Sequence, residues 1–205
     1  MEHSLPLYNQ TYYSKEELTA DLHARLDPIE LNRILDAYEM ASHVHENQLR
    51  PDASLYFWHI TRVEKILVRE LEIYEPDTLA AAFLHDILED SHIITRDVIA
   101  FNFGEHVAHI VEVLTKNLSL TGDLLEQEEK RYLEQLKESA IECKIIKCAE
   151  RLDNFRCLEF GVKHNPFQYI RETELSYFPL AMETNDAALL NLVHSMNLIK
   201  GKLFA

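Results

Sequence analysis

The chain has 205 residues, with 35 Asp or Glu against 20 Lys or Arg and a formal net charge of −15, so its general surface repels polyanions and argues against a broad DNA- or RNA-binding surface. An apolar fraction of 47% with only four glycines and six prolines is typical of a single globular domain built from helices with few sharp turns. The N-terminal MEHSLPLYNQ has no basic segment followed by an apolar block, and no run of about eighteen apolar residues occurs, which predicts a cytoplasmic protein with no membrane contact.

The first part of the chain carries three helical patterns. Apolar residues recur at helical spacing from Pro28 to Gln48, and again from about Phe57 to Tyr74 before Pro76 interrupts the pattern. The next segment, EPDTLAAAFLHDILED, has Asp77 or Thr78 as its expected N-cap. Its middle is apolar on every side, so we expect this helix to be central in the fold.

Helical patterns continue to the end of the chain. Thr95 is the expected cap of a short helix ended by Gly104, and EHVAHIVEVLTK follows as another helix. Further helices are predicted for 123–139 and 140–160, and for the closing segments PFQYIRETELSYFPLA and DAALLNLVHSMNLIKGKLF. No stretch alternates with period two for long enough to predict a strand. We therefore expect an all-α fold, a single domain over residues 1–205 forming a bundle of about nine to eleven helices, with 182–205 as a closing C-terminal helix.

Three cysteines lie in the predicted helix at 140–160, namely Cys143, Cys148 and Cys157. Their odd number and the absence of a CxxC spacing fit neither a disulfide framework nor a zinc knuckle. They are predicted to be reduced residues of the core.

The segment LHDILEDS places one histidine and three carboxylates at the end of the predicted central helix. On a continuous helix, positions 85, 86, 89 and 90 would lie within an arc of about 140°. Carboxylates facing an internal cleft need compensation by positive charge, because burying them unpaired is costly. A divalent cation with its own acid/base group is one interpretation, and an exposed acidic helix face is the other.

Further ligands for such a cation come from two other segments. His59, in LYFWHIT, follows a loop closely, although a histidine among aromatic residues can equally be a hydrogen-bonded core residue. In KCAERLDNFR, Glu150 and Asn154 share one helix face, and the alternative there is a surface helix with ion pairs. Two histidines and two carboxylates would form a mixed nitrogen and oxygen site suited to manganese or iron(II).

Five segments resemble, in order, the motifs of the RelA/SpoT-type alarmone hydrolases, which belong to the HD superfamily of metal-dependent phosphohydrolases. HENQLRPDASLYFWH resembles H-x-x-Q-x-R-K-x-G followed by Y-x-x-H, and AAAFLHDILEDS resembles A-A-x-L-H-D-x-x-E-D-T. The other three are FGEHVAHIVEVLTK, IKCAERLDNFR and ETELSYFPLA. The resemblance spans roughly residues 37–181.

This resemblance implies an all-helical HD domain and manganese-dependent removal of the 3′-pyrophosphate from guanosine tetra- or pentaphosphate, the alarmone of the stringent response. Carried over position by position, it implies metal ligands at His59, His85, Asp86 and Glu150, a catalytic pair at Glu89 and Asp90, and nucleotide contacts at Arg50 and Asn154, with Lys116 and Tyr56 as further candidates. The partner would be a guanine nucleotide, and the sequence gives no indication of an oligomeric state.

The sequence departs from the family pattern at four of these positions. Glu150 stands for an aspartate, Pro51 for a lysine, Ala53 for a glycine and Asp153 for a histidine. Pro51 removes a positive charge that the family uses near the nucleotide, and Asp153 adds a negative charge. Two alternatives therefore stay open, namely a hydrolase of another nucleotide and a non-catalytic nucleotide-sensing module.

Overall fold

The computed structural model describes residues 6–117 and 119–203, and helices dominate both stretches. In chain order they are α1 (Lys15–Leu22), α2 (Pro28–Val44), α3 (Tyr56–Lys65), α4 (Pro76–Leu84), α5 (Ile87–Asp90), α6 (Arg96–Phe103), α7 (Glu105–Leu114), α8 (Asp123–Glu138), α9 (Ile141–Arg156), α10 (Pro166–Glu172), α11 (Phe178–Thr184) and α12 (Ala187–Leu203). One turn joins α4 to α5 and the π-helical turn Thr173–Tyr177 joins α10 to α11, so these helices form ten rods. Within the described residues the only β pairing is the isolated bridge between Leu49 and Leu55. The all-α prediction is confirmed.

Helix ends follow local chemistry that the sequence shows in part. Thr95 caps α6 by accepting a hydrogen bond from the amide of Val98, and Gly104 with φ of 96° ends this helix, as predicted. The predicted cap of α4 is wrong, because Glu75 accepts hydrogen bonds from the two amides that follow Pro76. Proline is favoured at the first helical position, so the N-cap of α4 lies two residues before Asp77 and three before Thr78.

The central position predicted for α4 is also observed. All residues from 78 to 84 are buried, and α4 packs against α2, α3, α7 and α9. The long α9 packs in turn against α3 and α12, so that α3, α4 and α9 bring their side chains to a common region. The three cysteines are buried and free, as expected. Over the part of the chain that is described, no helix has both the length and the apolar character needed to cross a bilayer.

The continuous helix predicted across LHDILED is wrong. The ring of His85 bonds through Nδ1 to the carbonyl oxygen of Ala82 at 2.7 Å, which is the acceptor that a continuing helix would offer to the amide of Asp86. Helix α4 therefore ends at Leu84, and the short α5 restarts at Ile87. The break therefore separates His85 and Asp86, which lie in the turn, from Glu89 and Asp90, which lie in α5.

Candidate metal centre and active site

Two histidines and one carboxylate meet where α3 faces the turn between α4 and α5. His59, His85 and Asp86 each offer one ligand atom, and these atoms all lie within 4.8 Å of one another. All three side chains are buried. The structure thus brings together residues from two separate motifs, as the sequence predicted.

Hydrogen bonds fix the same tautomer in both imidazole rings. Nδ1 of His59 donates to Oδ2 of Asp153 at 2.6 Å, and Nδ1 of His85 donates to the carbonyl oxygen of Ala82 at 2.7 Å. A carboxylate and a carbonyl can only accept, so the ring proton lies on Nδ1 in each case. In the neutral form of each ring the lone pair therefore lies on Nε2, the position that a metal ligand requires.

The electrostatic environment also favours a cation at this point. Burial and the nearby Arg50 guanidinium lower the pKa of His59 to about 4, which keeps this ring neutral at pH 7. Burial opposes protonation of His85, but the carboxylates of Asp86 and Glu150 raise the pKa of His85 to about 9. These carboxylates thus favour positive charge at Nε2 of His85, and a divalent ion would supply it.

The donor set fits a first-row divalent metal. Nε2 of His85 is buried and has no hydrogen-bond partner in the described parts of the chain, although it lies 3.1 Å from Oδ2 of Asp86. An unpaired buried nitrogen is costly unless something binds it. Two imidazole nitrogens and a carboxylate oxygen form a mixed set that suits metals such as manganese, iron or zinc.

Glu150, the predicted fourth ligand, lies at the same site but outside the group of three. Its Oε2 is 2.6 Å from Nζ of Lys147, and its Oε1 accepts a hydrogen bond from Nδ2 of Asn154 at 2.8 Å. The proximity of Lys147 lowers the pKa of Glu150 to about 2 against the effect of burial. An ionised carboxylate is thus available, and its role as a ligand stays a prediction.

A cavity of about 180 Å³ opens beside His59. Its lining includes Gln48, Arg50, Pro51, Tyr56, His59, Glu150, Asn154 and Lys163. The predicted nucleotide contacts Arg50 and Asn154 lie together here, because the guanidinium of Arg50 donates to Oδ1 of Asn154. Tyr56 also lines this cavity, and its hydroxyl donates to Oδ2 of Asp86 at 2.6 Å. Tyr56 therefore orients a candidate ligand as well.

The side chains of the predicted catalytic pair, Glu89 and Asp90, contact different parts of the protein. Oε1 of Glu89 accepts a hydrogen bond from the backbone amide of Lys116 at 2.6 Å, whereas Oδ2 of Asp90 accepts one from Nε2 of Gln48 at 3.1 Å. Burial and the charge of Asp86 raise the pKa of Glu89 to about 7. Glu89 and Asp90 are adjacent residues of α5, so their side chains leave the helix about 100° apart.

Lys116 also lies away from the cavity beside His59. It lines a separate open cleft of about 900 Å³ that it shares with Glu89. Its ammonium group lies over the ring of Tyr132, 4.4 Å from the centroid. The side chain is thus placed near Glu89 and not beside Arg50 and Asn154.

Two residues of the site could not be assigned correctly from sequence. Lys163 lines the cavity from the loop after α9, and it belongs to none of the five motifs. Asp153 was noted only as an added negative charge, and its side chain is fully buried against His59. There the buried guanidinium of Arg62 compensates the carboxylate inside the core.

This chain is similar to a family model and to several known proteins. The model of the HD domain family matches residues 37–184. The guanosine-3′,5′-bis(diphosphate) 3′-pyrophosphohydrolase MESH1 of Drosophila melanogaster is 32% identical over 157 residues, which are 75% of this chain and 83% of that protein. The GTP pyrophosphokinase of Myxococcus xanthus is 30% identical over 161 residues, 76% of this chain, and the chain spans only about a fifth (21%) of that longer protein.

A solved structure gives the same result for the fold. It is described as a metazoan orthologue of SpoT that hydrolyses ppGpp and plays a role in starvation responses, and it matches 83% of this chain and 94% of its own with a TM-score of 0.68 and 24% identity. At this identity the likeness concerns the fold. The family match over residues 37–184 and the MESH1 and Myxococcus xanthus relatives show that this chain belongs to the HD domain family.

Proposed function

We propose that this chain hydrolyses guanosine-3′,5′-bis(diphosphate) and releases pyrophosphate from the 3′ position. The observation that carries the proposal is the convergence of His59, His85 and Asp86 beside a cavity that Arg50 and Lys163 also line. The activity named for the MESH1 relative supports the choice of substrate. A phosphorylated ligand on a protein of net charge −15 needs such a local group of cations.

The metal would be held by His59, His85 and Asp86, with Glu150 as a further ligand, and we propose manganese as the ion. A divalent cation bound there supplies Lewis acidity toward a phosphoryl oxygen and toward water. Tyr56 keeps the carboxylate of Asp86 in place through its 2.6 Å hydrogen bond. Asp86 in turn stays ionised, since His85 and Lys147 hold the pKa of its carboxyl well below the usual range even though burial opposes this.

Glu89 is the proposed general base. A pKa of about 7 lets its carboxylate accept a proton from the attacking water at neutral pH, and a base of this strength is close to the optimum for proton transfer. The amide of Lys116 fixes the orientation of one carboxylate oxygen, which leaves the other oxygen for the water. Asp90 stays a predicted second carboxylate of the site, held by Gln48.

Substrate binding is assigned to the residues that line the cavity beside His59. Arg50 and Lys163 supply positive charge for phosphate oxygens, and Asn154 supplies an amide. Pro51 lines the same cavity, where the family pattern has a lysine. Lys163 brings an ammonium group from another segment, so the cavity keeps two cations despite this replacement.

The test is a product assay with purified protein, guanosine-3′,5′-bis(diphosphate) and manganese. Release of pyrophosphate with equimolar GDP is expected, and the His85→Ala and Asp86→Ala variants should lose it. A parallel panel of other nucleotides identifies a different substrate if one is preferred. Bound metal without turnover of any nucleotide would instead favour a sensing module and contradict the proposal.

A further inference from the structure

Both carboxylate oxygens of Asp153 accept hydrogen bonds from neighbouring side chains. Its Oδ2 accepts hydrogen bonds from Nδ1 of His59 at 2.6 Å and from Nη2 of Arg62 at 3.1 Å. Its Oδ1 accepts from Nε of Arg62 at 2.7 Å and from the hydroxyl of Tyr8 at 2.9 Å. Nη1 of Arg50 lies 3.5 Å from Oδ2 as well. The carboxylate is thus held in one orientation from several sides.

Arg62 is itself fixed. Its side chain is 1% exposed, and its Nη1 donates to the carbonyl oxygens of Asn9 at 3.2 Å and Thr11 at 2.9 Å. Its Nε and Nη2 form a two-pronged contact with the carboxylate of Asp153, which is the geometry that arginine pairs adopt when direction matters.

The two-pronged contact with Arg62, in which both oxygens of Asp153 accept, leaves His59 only one arrangement. Because the carboxylate can only accept, Nδ1 of the ring must carry the proton, and Nε2 carries the lone pair. Carboxylates in this position orient metal-bound histidines in many proteins and strengthen their binding. Here the ring also contacts Tyr56 edge-on, with centroids 5.6 Å apart, so its plane is set from two directions.

We propose that Asp153, clamped by Arg62, is a positioning residue that fixes Nε2 of His59 as a metal ligand and so sets the affinity of the site for its metal. This inference rests on the proposed role of His59 as a ligand. A purely structural role for the Arg62–Asp153 pair would predict a loss of folding stability with no specific effect on metal binding.

The test measures manganese binding to chelator-treated protein by titration calorimetry, with no nucleotide present. Asp153→Asn keeps the shape of the side chain but removes its charge and its preference for accepting, and an affinity about 10- to 100-fold lower is expected. Glu64→Gln is the control for an acid-to-amide replacement inside the core. Glu64 is fully buried on the same helix as His59, and its carboxyl oxygens have no hydrogen-bond partner among residues 6–117 and 119–203.

A second variant covers the case in which Asp153→Asn fails to fold. The double change Arg62→Met with Asp153→Leu removes both members of the buried Arg62–Asp153 pair together, so neither of these two charges is left without the other. The same loss of affinity is expected from it. Wild-type affinity in either folded variant would overturn the inference. Failure of the proposed function would look different, since the wild-type protein would then bind manganese tightly and leave guanosine-3′,5′-bis(diphosphate) intact.

Discussion

The backbone amide of Lys116 donates a 2.6 Å hydrogen bond to Oε1 of Glu89, so the proposed base is oriented by the main chain just after α7. A backbone donor cannot rotate away as a side chain can. It remains in place when the residue at 116 is changed, and it leaves one carboxylate oxygen of Glu89 available for water. This contact makes substitutions at Glu89 informative.

Glu89→Gln should reduce kcat by about 10²- to 10⁴-fold, the usual contribution of a general base. The amide side chain can still accept the hydrogen bond from Lys116 but cannot take up a proton from water. Manganese affinity, measured by calorimetry, should change by less than about threefold, because Glu89 is not among the residues of the metal group. A variant that lost metal and activity together would contradict the assignment of Glu89 as base.

The pH dependence of kcat follows from the ionisation of the same residue. Since burial and Asp86 raise the pKa of Glu89 to about 7, the carboxyl is protonated and inactive below that pH. The rate should therefore rise with pH, and the midpoint should lie at or below pH 7 because a bound cation favours the ionised form. In Glu89→Gln the residual rate should lose this rising limb. A wild-type profile that falls between pH 5 and 7 would rule out a carboxylate base.

Lys163→Met should raise KM for guanosine-3′,5′-bis(diphosphate) by at least about tenfold, which is the value of a hydrogen bond to a charged group. Its kcat should change little, since the residue lines the cavity and does not touch the reacting atoms in the proposed mechanism. Lys163→Arg keeps the charge and should restore most of the affinity. Lys130→Met, the same change on the exposed face of α8, serves as the control for lost net charge.

Removal of the metal should lower the thermal unfolding midpoint. An ion that binds only the folded state stabilises it by about 2.7 kcal/mol at a hundredfold excess over Kd, which corresponds to roughly 5 to 10 °C for a chain of this size. Differential scanning fluorimetry with and without a chelator measures this shift. The His85→Ala protein should show the same midpoint in both conditions, and an equal shift in that variant would place the ion elsewhere.

Glu64 should make the free energy of unfolding fall as pH rises. Burial raises the pKa of its carboxyl well above the ordinary 4.5, so above pH 4.5 the unfolded chain has lost a proton that the folded chain retains. Each pH unit in that window then costs up to about 1.4 kcal/mol. Glu64→Gln removes the titration, and its stability relative to wild type should increase from pH 5 to 8 in urea unfolding experiments. Parallel stability curves would show that the carboxyl finds a partner when folded.

The sequence predicted well what depends on periodicity and motif order. The all-round apolar segment before His85 indicated a central helix, and α4 is buried as expected. The separated motifs around His59 and His85 predicted side chains that meet at one point, and they do. Both features are properties of residues close together in sequence or of spacings that a helix fixes.

The remaining features depend on contacts that no local pattern encodes. The break in the helix after Leu84 arises from a bond between a ring nitrogen and a carbonyl oxygen, and hydrophobic spacing does not report it. Asp153 points into the core, where it pairs with Arg62. Arg62 lies 91 positions earlier in the chain, so no local sequence pattern indicates this pair. Lys163 enters the cavity from a loop, where position in space is set by the packing of the helices around it.

The hydrogen bonds from Arg62 to the carbonyl oxygens of Asn9 and Thr11, with the hydroxyl of Tyr8 on Asp153, tie the beginning of the chain to the layer beneath the metal ligands. All three N-terminal residues precede position 37, where the shared family segment starts. A protein truncated to the family segment would lose the carbonyl groups that hold the guanidinium of Arg62 in place. The segment that supports an intact metal centre in this chain therefore begins before residue 37, where the family match starts.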